Sequence, residues 1–291
     1  MISRFWWCQQ DNEQKMHWLS WERLTLPKEE GGLGFRDLHV FNMAMLAKQC
    51  WRLLMKPDSL CAQILRARYY PAGDVLKASA NRCMSYSWRS MLAGVEVIKQ
   101  GLIWRVGDGT SIDIWADEWL PREHLRRPYT PRRASLLSRV NDLMDPVTGT
   151  WDAELVRDTF WDDDAELILS LPVHEGMDDI LAWHYNKNGI FTVKSAYKVH
   201  YEYKRRNRVR AVGAATSSGT RDDRFWKELW KITRPRKMVH FMWRFSHNSL
   251  ALRVNLKRRG MKLDTRCVLC RRYDEDGGHL FFKCKYVKGL G

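Results

Sequence analysis

The stretch CVLCRRYDEDGGHLFFKC, residues 267–284, decides the fold of the end of this chain. Cys267 and Cys270 form a C-x2-C pair, His279 follows after eight residues and Cys284 after four more. These four side chains are the ligands of a tetrahedral zinc ion, and the polar DEDGG segment lets the chain fold back between them. We predict one zinc ion per chain, structural because protein fills all four positions. The alternative, three reduced cysteines and a surface histidine that lie close by chance, fits a lone C-x-x-C better than this set.

The composition indicates a globular and strongly basic protein. The chain has 291 residues, 45% of them hydrophobic, and a formal net charge of +15. Residues 221–291 carry nineteen Lys or Arg against seven Asp or Glu, whereas residues 151–180 carry ten acidic side chains and one arginine. A positive field attracts polyanions, and nucleic acid is the usual one. The alternative is a basic surface that serves only solubility.

Cysteine usage and hydropathy predict an intracellular protein. Cys8, Cys50, Cys61 and Cys83 are far apart in apolar or helical settings, which is typical of reduced residues and not of a disulfide framework. The N-terminus lacks the apolar core of a signal peptide, and no run reaches transmembrane length. We therefore expect no membrane association and favour the nucleus over the cytoplasm.

Residues 1–120 are predicted to be a helical region with one hairpin. Apolar residues recur at spacings of three and four from Val40 to Leu54, ahead of Pro57, and again from Ser87 to Gln100. The segment WRVGDGTSIDIW, residues 104–115, alternates on both sides of a Gly-Asp-Gly turn and predicts a β-hairpin. No helix start or Lys-Ser/Thr pair follows the glycines, so a phosphate-binding loop is not indicated.

The middle of the chain changes composition twice. Residues 121–150 are rich in Pro, Arg and Ser and are interpreted as a linker. Residues 151–190 are predicted as an acidic helical segment followed by a second hairpin, which turns at KNG between Trp183 and Val193. The expected fold class is α+β, mainly helical.

Residues 191–291 are predicted to form a small helical zinc-binding module. A helix begins near Ser195 and leads into a basic stretch, 204–220, that is expected to be mobile. In the segment KMVHFMWRFSHN the Met and Phe side chains, Met238, Phe241, Met242 and Phe245, are predicted to face the core. The predicted phosphate contacts are Arg236, Lys237, Arg244, Lys257, Arg258 and Arg259, with Trp243 as a stacking platform for bases.

Several segments together resemble one protein family. LWKITRPRKMVHFMWR, followed by CVLC and HLFFKC, is similar to the zinc-binding domain near the C-terminal end of plant LINE-type (non-LTR) retroelement reverse transcriptases. GGLGFRDLHVFNMAMLAKQCWRL, WRVGDGTSIDIWADEWLP and GIFTVKSAY resemble the segments that precede that domain. The resemblance covers nearly the whole chain. It implies that the intact family protein copies element RNA into DNA, and that the zinc module helps to hold the nucleic acid.

The chain departs from the family in its catalytic residues. A polymerase needs carboxylates from separate strands to hold two metal ions. The one candidate motif, Phe160-Trp161-Asp162-Asp163, lies in a run with helical spacing, and such acidic runs are usually solvated faces. The family's ribonuclease H domain is also expected to be absent. We therefore predict a fragment that is not an enzyme.

Two functions remain open at this point. The first is a module that binds RNA or DNA through phosphate contacts, largely independent of sequence. The second is a zinc-stabilised protein-interaction module in which the positive charge is incidental. Neither the preference between RNA and DNA nor the oligomeric state follows from the sequence.

Overall fold

The structure, a computed structural model, describes residues 16–80, 84–123, 125–132, 136–173, 176–212 and 219–288. Over these ranges it is mainly helical with one two-stranded antiparallel sheet, which confirms the predicted α+β class. In chain order the elements are α1 Trp21–Thr25, α2 Leu38–Met55, α3 Leu60–Tyr69, α4 Tyr86–Lys99, β1 Leu102–Arg105, α5 Ala153–Thr159, α6 Asp162–Leu169, β2 Ile180–Trp183, α7 Val193–Val212, α8 Gly219–Lys231, α9 Arg236–Ser246, α10 Arg253–Arg258, a π-helical turn His279–Lys283 and α11 Lys285–Lys288.

The chain forms two compact units. The central unit is Leu38–Val212. The terminal unit joins Met1–Asp37 to Gly213–Gly291, so its two parts come from opposite ends of the chain. Only residues 16–37 and 219–288 of the terminal unit are described.

The two helices predicted from apolar periodicity are confirmed as α2 and α4. The two helices pack closely because Gly94 of α4 has no side chain: a Cβ there would lie 2.6 Å from the backbone N of Ala47. The rings of Trp51, Trp183 and Phe191 pack together beside these helices, with Trp183 and Phe191 centroids 4.7 Å apart. No helix in the described ranges combines the length and the apolar character needed to cross a membrane.

The described residues of the segment 121–150 contribute buried side chains to the core of the central unit, so the interpretation of this segment as a linker is corrected. Val140 and Leu143 are fully buried among the apolar side chains of this core. The Val140 N–H donates to the Ile112 carbonyl at 3.0 Å, which ties the segment to the preceding loop. Most of the Pro and Arg residues that indicated a linker lie between Ile112 and Val140 in the sequence.

A buried carboxylate holds the same segment against α6. Asp164 Oδ1 lies 2.6 Å from the guanidinium of Arg122, and Oδ2 accepts hydrogen bonds from the backbone N–H and the hydroxyl of Thr130 at 2.7 and 2.6 Å. Asp164, which lies in the acidic run that was predicted to be solvated, is therefore fully buried and forms an ion pair with Arg122.

The predicted β-hairpin over residues 104–115 is wrong. β1 pairs with β2, which lies far along the chain, and Leu102 is opposite Trp183 in the register. Ile112 and Ile114 are both fully buried, and Asp113 between them forms a bridge with Arg139. The Ile114 N–H donates to the Ser138 carbonyl at 2.9 Å. The alternation of the sequence therefore indicated burial correctly and the pairing incorrectly.

The Gly-Asp-Gly turn is a structural loop whose backbone N–H groups donate to the carboxylate of Asp179. A Cβ at Gly107 would lie 2.2 Å from the Met177 carbonyl oxygen, so only glycine fits. The carboxylate of Asp179 accepts the backbone N–H groups that a phosphate would otherwise use. These donors are Gly107 at 2.8 Å, Gly109 at 3.0 Å and Ser111 at 2.8 Å.

The second predicted hairpin is also wrong, and the helix after it is longer than expected. Trp183 ends β2, a turn that includes the KNG residues follows over 184–189, and no strand comes after it within the described residues before α7 begins at Val193, two residues before the predicted start. α7 continues to Val212, so the first half of the stretch 204–220 is helical where mobility was expected. Residues 213–218 lie outside the described residues.

The core of the terminal unit joins both ends of the chain. Leu24 of α1 is fully buried and packs in one cluster with Leu229 of α8 and with Val239 and Trp243 of α9. Gly31, with φ +82°, closes the turn after α1 and presents its carbonyl to α9. That oxygen accepts a hydrogen bond from the Trp243 ring at 2.8 Å.

The buried face of α9 is the opposite of the predicted one. Val239 and Trp243 are its buried residues. The helix carries large apolar side chains on both faces, and the partner that selects the Val239–Trp243 face comes from residues 16–37. The four residues predicted to be core lie outside it: Met238 is 54% exposed, Phe241 43%, Met242 41%, and Phe245 is half-buried.

Candidate metal centre

The four predicted ligands meet at one place in the terminal unit. Their ligand atoms all lie within 4.8 Å of one another, although the residues span the whole 267–284 loop. The Cys270 Sγ and His279 Nε2 atoms are 3.2 Å apart. Cys267 and Cys284 are fully buried, His279 is nearly so, and Cys270 is half-buried.

The C-x2-C pair forms a tight turn whose N–H groups point at sulfur. The Arg271 N–H donates to the Cys267 carbonyl at 2.8 Å, and Arg271 adopts a left-handed φ of +52°. The N–H groups of Leu269 and Cys270 are directed at Cys267 Sγ. A turn of this kind stabilises negative charge on both sulfurs, which suits thiolate ligands.

The two sulfurs of this turn differ in acidity. The Arg272 N–H, with smaller contributions from Tyr273 N–H and the His279 ring, lowers the pKa of Cys270 from 9.0 to about 6, against the opposing effect of burial. Burial raises the pKa of Cys267, although N–H donors partly offset it. Because the thiolate is the form that binds metal, the N–H donors around Cys270 favour its role as a ligand.

A π-helical turn brings the second pair of ligands to the same side. The Cys284 N–H donates to the His279 carbonyl at 2.8 Å, a hydrogen bond between residues five apart. In an α-helix residues five apart point in different directions, whereas a π turn aligns them. Asp276 precedes this turn, and its carboxylate accepts the His279 N–H at 2.6 Å.

A buried glutamate connects the metal loop to α10. Glu275 Oε1 accepts the Arg253 N–H at 3.3 Å, and Glu275 Oε2 accepts the Val268 N–H at 3.3 Å. The side chain is nearly buried, although the sequence places it in a polar turn. Sequence reasoning missed it because nothing in DEDGG distinguishes one carboxylate from the others.

The donor set fits zinc. Metal–ligand distances of about 2.0 Å to nitrogen and 2.3 Å to sulfur place the ligand atoms of a tetrahedral site with three sulfurs and one nitrogen about 3.5–3.8 Å apart. The observed separations lie within about 1 Å of that range. Three sulfurs and one imidazole nitrogen select zinc over the hard cations Mg²⁺ and Ca²⁺, which prefer oxygen. In the described part of the chain, this is the one group of three or more His, Cys, Asp or Glu residues placed to share an ion.

The remaining described cysteines do not belong to this site. Cys50 is buried, and burial raises its pKa to about 12; Cys61 is exposed, and both are free thiols. Cys8 and Cys83 lie outside the described residues.

Five of the predicted phosphate contacts have exposed side chains. Arg259 is partly engaged, because its guanidinium donates to the Trp18 carbonyl at 2.8 Å. Arg271 and Arg272, which directly follow Cys270, are exposed on the metal loop and were not among the predicted contacts. The exposed predicted residues are Arg236, Lys237, Lys257, Arg258 and Arg259.

Two predicted contacts have structural positions. Trp243 is 1% exposed, so the prediction that it stacks on bases is wrong. Arg244 is half-buried, and its guanidinium donates to the Ser249 carbonyl at 3.0 Å while Ser249 Oγ donates to the Arg244 carbonyl at 2.9 Å. This pair closes the turn after α9.

Among the described residues, the acidic run does not meet other carboxylates at a site that could hold a metal ion. Asp162 and Asp163 are exposed in the first turn of α6, where acidic side chains stabilise a helix N-terminus. Asp164 is turned inward and paired with Arg122.

Comparison with known proteins identifies similar sequences for this chain. A family model described as zinc-binding in reverse transcriptase matches residues 191–290. An uncharacterized mitochondrial protein of Arabidopsis thaliana is 41% identical over 123 residues, which is 42% of this chain and 80% of that protein. A protein of the same plant that is named as a ribonuclease H protein is 27% identical over 98% of this chain, which spans 45% of that protein. No solved structure matches the chain.

Proposed function

Because the chain belongs to the family of retroelement proteins that carry the reverse-transcriptase zinc-binding domain, we propose that its terminal unit is a zinc-stabilised module that binds nucleic acid. One zinc ion per chain is held by Cys267, Cys270, His279 and Cys284, and its role is structural. The observation that carries this proposal is the convergence of four soft ligands within 4.8 Å in the most basic part of the chain.

Zinc stabilises a loop that has little core of its own. The residues between Cys267 and Cys284 are mostly exposed, so few apolar contacts hold them. Zinc closes this loop, and the hydrogen bonds of Glu275 fix the loop against the start of α10. Metal binding then supplies free energy that burial does not.

Nucleic acid is the proposed partner because the exposed charge around this loop is positive. Lys257 and Arg258 end α10, and Arg271 and Arg272 follow the second metal ligand, all four with exposed side chains. Contacts from such residues go to phosphates and do not read sequence. We propose that RNA and DNA both bind and that the chain contributes binding and not catalysis to the retroelement protein.

The test is the salt dependence of binding. If about four to six phosphates are neutralised, the logarithm of affinity for single-stranded RNA should fall against the logarithm of salt with a slope of roughly −3 to −4. A Lys257→Ala, Arg258→Ala variant should bind more weakly, with a slope flatter by about 1.4. Fluorescence anisotropy with a labelled oligonucleotide measures both quantities.

The matched control is Lys77→Ala, Lys99→Ala, which removes two exposed lysines of the central unit that pair with Asp74 and Glu96. This variant should keep the parent slope. A parent slope near zero, or equal effects of the two double variants, would contradict the proposal and favour the protein-interaction alternative.

The proposed location is the nucleus. One relative is named as a mitochondrial protein, which makes the mitochondrion the location to test against it. Imaging of a fluorescently tagged chain with markers for both compartments distinguishes the two.

A further inference from the structure

The terminal unit carries an exposed cluster of apolar side chains beside the metal loop, which we call the aromatic patch. It includes residues of α9 and of the π-helical turn, and its phenylalanines touch edge to face. The Phe241 and Phe281 centroids are 5.5 Å apart, and Phe245 lies 5.3 Å from Phe281 and 5.7 Å from Phe282. The patch consists of Met238, Phe241, Met242, Phe245, Phe281 and Phe282.

The exposure of this patch follows from how its two segments are fixed. α9 buries Val239 and Trp243, so the opposite face is left outside. The π-helical turn directs His279 and Cys284 to the metal site, which leaves Phe281 and Phe282 outside at 36% and 62% exposure. An exposed apolar cluster of this size marks a contact surface.

The charge around the patch selects its partner. Residues 236–246 and 279–288 contain six Lys or Arg and no Asp or Glu. Lys237 lies one helical turn before Phe241, and Lys283 directly follows Phe282, so cations border the exposed rings. A partner for this surface needs flat apolar groups and negative charge at the same time.

We propose that the aromatic patch is a stacking platform for the unpaired bases of a single-stranded nucleic acid, with Phe282 and Phe241 as the stacking rings. Single strands combine accessible base faces with a phosphate backbone, which aromatic residues bordered by cations recognise. A duplex hides its base faces. This inference rests on the proposed nucleic-acid function and adds the strandedness of the ligand and the residues that select it.

The test compares a single-stranded RNA with a duplex of the same sequence. Phe282→Ala and Phe241→Ala should each weaken single-strand binding about five- to tenfold, since each removes one stacked base. Duplex binding should change less than about twofold, and the salt slope should stay at the parent value because no phosphate contact is lost.

Two controls separate stacking from other causes. Phe282→Leu keeps an apolar side chain but removes the ring, so it should lose nearly as much affinity as Phe282→Ala. Phe225→Ala removes a phenylalanine of similar exposure, 49%, on α8 outside the patch, and should bind as the parent does. Zinc content and thermal unfolding of every variant should match the parent.

The outcomes are distinguishable. If the parent binds with a steep salt slope and Phe282→Ala has no effect, stacking is overturned and the proposed function stands. If Phe282→Leu binds as the parent does, or the variants change only the oligomeric state, the patch is an apolar protein contact and stacking is overturned. If the parent binds no nucleic acid, both proposals fail.

Discussion

Glu275 lies between the metal loop and α10, and its Oε2 is 3.9 Å from Arg253 Nε. Its two oxygens also accept the N–H groups of Arg253 and Val268, and Val268 is next to a metal ligand. A single buried carboxylate therefore aligns the helix start with the C-x2-C turn.

Replacing this carboxylate should loosen the metal site. Glu275→Gln leaves one acceptor oxygen and puts an NH₂ group against a backbone donor, so zinc affinity should fall about tenfold or more, as for other partners that orient ligands. Competition with a chromophoric chelator measures the affinity. Glu228→Gln, which alters an exposed ion pair with Lys231 on α8, is the control and should leave zinc affinity unchanged.

Loss of one ligand should unfold the loop. The purified protein should contain one zinc per chain, and Cys284→Ser should lose both the metal and the thermal transition of the terminal unit, because zinc binding supplies on the order of 10 kcal/mol to small folds. Elemental analysis and calorimetry test this. Cys61→Ser, at an exposed free thiol, should behave as the parent does. A Cys284→Ser protein with full zinc content would show that the site is misassigned.

The core of the terminal unit should depend on a residue far from the metal in sequence. Leu24→Ala removes a fully buried side chain and should lower the free energy of unfolding by about 2–5 kcal/mol. Leu60→Ala, where the side chain is 73% exposed, should change it by less than about 0.5 kcal/mol. Chemical denaturation followed by tryptophan fluorescence measures both, and equal effects would contradict the described core.

The acidic run should contain one residue that matters for stability. Burial alone would raise the pKa of Asp164, but hydrogen bonds from Thr130 and Arg122 lower it below 3.8, so its contribution is present above that pH and lost as the pH falls below it. Asp164→Asn leaves Arg122 unpaired and should cost about 3–5 kcal/mol at neutral pH. Asp162→Asn, at an exposed position, should be within about 0.5 kcal/mol of the parent. Urea denaturation decides between them.

Acid should weaken the terminal unit through His247. Burial lowers the pKa of this ring below 6.5, and the positive charge of Arg23 adds to the effect, while the hydrogen bond to the Gly31 carbonyl partly opposes it. The folded protein holds the ring neutral, so its contribution to stability is present above about pH 6.5 and is lost as the pH falls. His247→Gln does not titrate. Its free energy of unfolding should change less than that of the parent as the pH falls from about 7 to about 5, and identical pH profiles would refute the assignment.

Local features were predictable from the sequence. The metal ligands lie within one short loop, so their spacing alone brings them together, and the periodicity of α2 and α4 identifies their extent within two residues. The π-helical turn also follows from ligand spacing, because His279 and Cys284 are five residues apart and both must face the ion.

Pairings across long distances were not predictable in the same way. The partner of β1 is β2, and no residue near Trp104 indicates it. Both faces of α9 are apolar, so the buried one is selected by tertiary partners, which include Leu24 from the other part of the terminal unit and Leu229 of α8. The sequence predicts a solvated side chain for Glu275, because its burial depends on the position of α10, which the local sequence does not indicate.

The terminal unit, assembled from both ends of the chain, also imposes an order on synthesis. Residues 16–37 leave the ribosome before residues 219–288, and the 175 residues of the central unit are synthesised between them. At about 5–20 residues per second this interval is roughly 9–35 s. During this interval all of the residues of the central unit are present, whereas Trp21 and Leu24 lack the α8 and α9 side chains that they pack against. We therefore expect residues 16–37 to need shielding by a chaperone during synthesis.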